Sequence, residues 1–154
     1  MRIDTLEEET GMKFSSAIMA LAPVAGNAAK DHSIELKCEK IKVTVFDKKG
    51  AIFIDSIPSK DGPSKMDHVK VEQTEMMGFP VIKTRFVAYP EMGGTYGLYN
   101  LYTYDDGQPA VLTSEWLNAD DQPMRPVKSY ECSKPVEKMQ TMPDIQSIGE
   151  MRGQ

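Results

Sequence analysis

Nucleophilic catalysis needs a Ser or Cys, a His to take its proton and an acid to orient that His. The chain holds only two histidines, His32 and His68, and no serine sits between the glycines of a nucleophile elbow. Asp67-His68 could be drawn as a dyad, but a His on a strand among charged neighbours is more often a solvated side chain. Asp105-Asp106-Gly107 and Asp120-Asp121 look superficially like calcium loops. They lack the alternating oxygen ligands and the closing Glu, so turn formation explains them better. No Walker loop or dinucleotide fingerprint is present, and nothing marks a pair of carboxylates for glycoside chemistry. The expectation is a non-enzymatic protein with no metal and no cofactor.

Two groups of side chains remain. Tyr96, Tyr99, Tyr102, Tyr104 and Trp116 form an aromatic group, and such residues supply rigid, amphipathic contact area at binding hot spots. The alternative is that they pack the core and support cross-strand pairs, the commoner use of strand tyrosines. They fall on both faces of their strands, so some must lie outside a one-sided core, and all five are candidate binding residues. Cys38 and Cys132 are far apart in sequence, without the close spacing of a zinc or redox motif. Either they form one disulfide or they are two buried thiols. If paired, they close a loop worth about 4.7 kcal/mol by chain entropy.

The elements that must position these residues read as strands. From Gly94 to Cys132 three antiparallel strands follow one another, Thr95–Tyr104, Ala110–Leu117 and Met124–Cys132. The turn between the first two contains Asp-Gly, a strong hairpin signal because Gly accepts positive φ. Pro126 places the early part of the third at an edge or bulge. Upstream, Ile34, Leu36 and Cys38 alternate, and then the apolar parity switches to Ile41, Val43 and Val45, as a bulge at Glu39-Lys40 would produce. Ala51–Ile57 is a short apolar strand and Pro58–Lys65 a loop. Met66–Thr74 reads as a half-buried strand through Val69 and Val71, Glu75–Gly78 as a turn, and Phe79–Tyr89 as another strand. The count is about seven strands. The expected fold is all-β, an antiparallel meander forming a small barrel or a two-layer sandwich, with a possible short C-terminal helix.

With 154 residues, one domain is expected. Composition is that of an ordinary globular chain, 40% hydrophobic and 27% charged. The net charge is −5, and the 18 basic residues are scattered among 23 acidic ones, so no basic patch exists for a phosphate backbone and nucleic acid is not an expected partner. Residues 1–11 are acidic. Residues 12–28, MKFSSAIMALAPVAGNA, carry the charge, apolar and small-residue order of a secretory signal. Translation is expected to begin at Met12 and the mature chain near Ala29; the alternative is an N-terminal helix lying on the sheet. The apolar segment is too short and interrupted to span a bilayer. The layout is therefore an extension over 1–29, a β-domain over 30–132 and a tail over 133–154. In the tail, Val136, Met139, Met142, Ile145, Ile148 and Met151 recur every third residue. This stripe could dock a helix starting near Pro143-Asp144, or the terminus could be loosely held. Export would favour the disulfide, and a bond between first and last strands would hide the sheet edges.

The segment CEKIKVTVFDKKGAIFI, Cys38 to about Ile54, resembles the opening of the small periplasmic lysozyme-inhibitor barrels of the C-type inhibitor family. That family's Ser-Gly-x-x-Tyr inhibitory loop has no counterpart, since Gly93-Gly94-Thr95-Tyr96 departs from it, and the inhibitory role is not carried over. The functional expectation is a periplasmic or secreted β-domain that binds a protein, as an inhibitor, immunity factor or envelope accessory would. The alternative is a barrel carrying a small apolar ligand, which would need an unfilled interior.

Overall fold

Ten strands and one short helix follow in order in the computed structural model, which describes residues 29–90, 94–105 and 107–153. The expected secretory segment lies outside the described residues. The strands are β1 (Asp31–Cys38), β2 (Ile41–Phe46), β3 (Ile52–Ser56), β4 (Ser64–Lys65), β5 (Asp67–Met76), β6 (Phe79–Ala88), β7 (Tyr96–Tyr104), β8 (Val111–Leu117), β9 (Lys128–Glu131) and β10 (Val136–Gln140), and the helix is α1 (Ile148–Arg152). They form two antiparallel sheets of five, ordered β10-β1-β2-β3-β4 and β9-β8-β7-β6-β5. Of the two expected architectures the sandwich is the one adopted, and the sheets do not close into a barrel.

Alternation explains the core. Leu36, Cys38, Val43 and Ile52 of the first sheet meet Phe86, Leu101, Leu112 and Ala110 of the second in one buried cluster. Each large side chain taken wholly out of water there contributes about 1.5–3 kcal/mol. The opposite face of the first sheet has its own small cluster, Phe46, Ala51 and Phe53, packed against Met142. Phe46 and Phe53 meet edge to face at 5.6 Å, a geometry favoured by the ring quadrupoles.

The disulfide forms between Cys38 and Cys132, 94 residues apart. Its position explains its use. Cys132 N–H donates to Ala110 O of the second sheet's β7–β8 connection, while the adjacent Ser133 N–H donates to Lys37 O of the first sheet. The bond pins the point at which the chain crosses back from one sheet to the other.

Several local expectations are corrected. The parity switch after Cys38 is a reverse turn, not a bulge: Cys38 pairs with Ile41, and Glu39 takes the left-handed conformation at φ 58°. Both devices change parity along the sequence, and only the pairing tells them apart. The register irregularity falls instead between Asp67 and Lys70 of β5. Strand β5 is not half-buried, because it is the edge of its sheet and every residue after Asp67 is exposed. The segment after Cys132 is neither loose nor helical at first: Val136–Gln140 pairs with β1 as an outer strand. Helix α1 starts at Ser147 rather than at Pro143-Asp144, with a full capping box in which Ser147 and Glu150 satisfy each other's backbone N–H groups.

Candidate functional site

The pleat of β7 divides the aromatic group. Tyr99 faces the core, opposite Phe86, with the two rings stacked at 5.4 Å and 8°, and burial pushes its phenol pKa up. Trp116 lies opposite Gly97 on the same face. A Cβ at Gly97 would stand 3.3 Å from the Tyr99 ring and 3.6 Å from the indole, so the missing side chain lets the two rings approach each other. Tyr96, Tyr102 and Tyr104 take the other parity of the strand and stay half-buried. The Tyr96 hydroxyl donates to Asp121 Oδ1 at 2.6 Å. That bond to a carboxylate favours the neutral phenol and, more than burial, pushes its pKa up to about 12. The structure thus brings Tyr99 and Trp116 together and separates them from Tyr96, Tyr102 and Tyr104; the five do not make one patch.

Tyr99 also reaches the floor of a cleft of about 460 Å³ at one end of the sandwich. Ile41, Ile54, Met66 and Ala88 complete the floor, and Tyr89, Asp61 and Ile148 stand at its rim. Tyr89 is held from two sides, by the edge of the His68 ring at 5.7 Å and by the Arg152 guanidinium at 5.7 Å from its centroid. Arg152 also donates to Pro90 O at 2.6 Å, so α1 and the segment after β6 are fastened together. Asp55 at the cleft wall is engaged locally, its Oδ1 accepting from Ser56 N–H at 2.8 Å and Ser59 Oγ at 2.9 Å.

Both histidines are engaged by neighbouring side chains, His68 by the Tyr89 ring. His32 lies between two carboxylates, with Nδ1 bonded to Asp47 and Nε2 to Glu137 at 3.1 Å. These bonds, that to Glu137 first and that to Asp47 second, raise its pKa, because each carboxylate favours the charged ring. Asp67 does not orient His68. Its carboxylate is buried and accepts from Ser147 Oγ and, at 3.0 Å, from Gly149 N–H. Among the described residues no group of three or more His, Cys, Asp or Glu is placed to hold a metal ion.

The β5–β6 hairpin falls where the sequence places two strands and a turn, but sequence reasoning missed it as a candidate site. Its turn is Met77-Gly78, with φ of 52° and 83°, the paired positive values of a two-residue hairpin turn. Gly78 takes this conformation freely, whereas Met77 is a β-carbon residue in a sparsely populated region. Met77 is nevertheless 96% exposed, Phe79 57% and Val71 62%, with Met76 and Val69 also exposed. Large apolar residues at the tip and along a free edge are costly in water unless something covers them. The available signal was local: Met76, Met77 and Phe79 surround Gly78, where a solvated turn would carry Asn, Asp or Ser.

No family model, curated protein or solved structure matches the chain.

Proposed function

We propose that this chain is an exported, non-catalytic β-sandwich that binds a protein through the β5–β6 hairpin. The observation that carries the reading is the exposure of Val71, Met77 and Phe79 on a hairpin whose β5 strand is the edge of its sheet. An edge strand offers unpaired backbone N–H and C=O groups to an incoming strand, and flanking apolar side chains supply the contact area. The disulfide suits an oxidising compartment, periplasmic or extracellular. Among the described residues no helix is long and apolar enough to cross a membrane. An inhibitor, an immunity factor or an envelope accessory protein would each fit this description.

A carrier of a small apolar molecule is the second reading, favoured by the apolar floor of the cleft beside Tyr99. The space between the sheets is filled by the protein's own side chains, so such a ligand would be confined to that open cleft. The two readings separate experimentally. Immobilised chain is challenged with envelope and extracellular fractions of the source cells, in parallel with Met77→Ser and Phe79→Ser variants of matched urea midpoint. Retention of one protein by the parent, lost in both variants, supports the hairpin. Equal retention by all three, or none by any, refutes it. Export is tested separately by the intact mass of the chain recovered from the envelope: a start near Ala29 supports it, and an intact Met1 refutes it.

A further inference from the structure

We infer that the protein partner of β5 is a second copy of this chain, the two β5 strands pairing antiparallel in register about Val71. The inference rests on the hairpin reading and names its occupant. The edge is blunted only at its start, where the register is irregular between Asp67 and Lys70 and where α1 is tied to Asp67. From Lys70 to Met76 the strand pairs regularly with β6 on one side and with nothing on the other among the described residues. Such an edge is a template for another strand unless charge, bulge or cover prevents it.

Charge selects the register. A two-fold axis through Val71 sets residues whose numbers sum to 142 opposite one another, so Lys70 of one copy faces Glu72 of the other, twice, and Val71 faces itself. Axes through Lys70 or Glu72 would instead oppose like charges, and axes through Gln73 or Thr74 would oppose no charged pair. Val71 is the centre on regular β5 about which the flanking charges are complementary.

The charges are also left incomplete within one copy. Across the sheet Lys70 stands opposite Arg85 and Glu72 opposite Lys83, and none of the four takes part in an ion pair among the described residues. Like charges directly opposite are unfavourable on a sheet face. In the pair, Glu72 lies between its own Lys83 and Lys70 of the second copy, so that Lys70, which stands opposite the like charge of Arg85 in its own sheet, gains a neighbour of opposite sign. Such an arrangement is isologous and closes as a dimer.

The test is analytical ultracentrifugation of the full chain, with Lys70→Glu and Glu72→Lys variants, their double variant and the 1:1 mixture of the singles. The parent is expected to dimerise, more weakly as salt rises. Each single variant should associate at least roughly tenfold more weakly, because two cross-strand pairs reverse sign. The mixture and the double variant should recover the dimer, since both restore Lys opposite Glu. Val71→Cys should form an intermolecular disulfide, for directly opposed Cβ atoms lie about 5 Å apart. A parent that is monomeric at millimolar concentration overturns the inference, as does a dimer indifferent to both charge reversals. A monomer that still retains another protein through Met77 and Phe79 overturns self-pairing and leaves the hairpin reading standing.

Discussion

Gly149→Ala tests how α1 is held, because two effects of opposite sign compete. In an exposed helix the substitution gains about 1 kcal/mol from reduced backbone entropy and better propensity. Here an ideal Cβ would lie 2.5 Å from Asp67 Oδ1, 2.6 Å from its Cγ and 2.9 Å from Oδ2, distances that real contacts do not show. The carboxylate is buried and held by Ser147 Oγ and Gly149 N–H, so it cannot simply swing away. Losing one hydrogen bond to a charged group costs about 1.5–3 kcal/mol, and α1 surrenders at least one by moving off. The bond outweighs the propensity, and a net loss of about 0.5–2 kcal/mol is expected. A helix of five residues has no independent stability, so undocking melts it. Urea unfolding reads the net change, and hydrogen exchange at Glu150 and Met151, whose amides bond to Ser147, reads the helix. In an Asp67→Ala background the clash is gone and the same substitution should instead gain up to about 1 kcal/mol. A single Gly149→Ala variant more stable than the parent would refute the docking of α1 on Asp67.

Three further outcomes are expected. Replacing both Cys38 and Cys132 with Ala should lower the unfolding free energy by about 4.7 kcal/mol, the chain-entropy figure for a loop of this length; an unchanged urea midpoint would refute it. The pKa of His32 is raised in the folded state above its ordinary 6.5, by Glu137 and then Asp47. Its stabilisation of β10 and of the turn after β2 is therefore fully present below pH 6.5 and is lost as pH rises through the folded value. NMR titration of the His32 ring should give a midpoint above 6.5, and a midpoint at or below it would remove the bridge. Tyr99→Ala should cost about 3 kcal/mol, since its ring stacks on buried Phe86, while Met77→Ala should stay within about 0.5 kcal/mol. Thermal unfolding compares them, and equal losses would contradict the placement of both side chains.

Part of this molecule was readable in one dimension. The stretch from Tyr96 to Glu131 forms the expected three strands in the expected order, because its turns carry Gly, Asp, Asn and Pro between runs that alternate. The turn at Glu39-Lys40 carries none of these residues, so it reads as a bulge. The tail's spacing of three imitates a helix, but the pairing of Val136–Gln140 with β1 overrides it. The capping box Ser147-Ile148-Gly149-Glu150 stood in the sequence as the true start of α1 and was outranked by Pro143. For the binding residues the alternation of β7 was enough to say that the tyrosines divide between two faces. It could not say which face is covered.

Local chemistry by itself determined that the chain is all-β, where most turns fall, and that its two cysteines were available to join distant strands. Those properties depend on neighbours a few residues apart, whose φ preferences and apolar period survive in the linear order. Tertiary structure alone decided the rest. It placed Tyr99 against Phe86, locked Asp67 to α1 and enclosed His32 between Asp47 and Glu137. It also left Val71, Met77 and Phe79 in water. Burial is a property of two surfaces. Val69 and Val71 alternate as a buried strand would, and they are exposed because β5 is the last strand of its sheet.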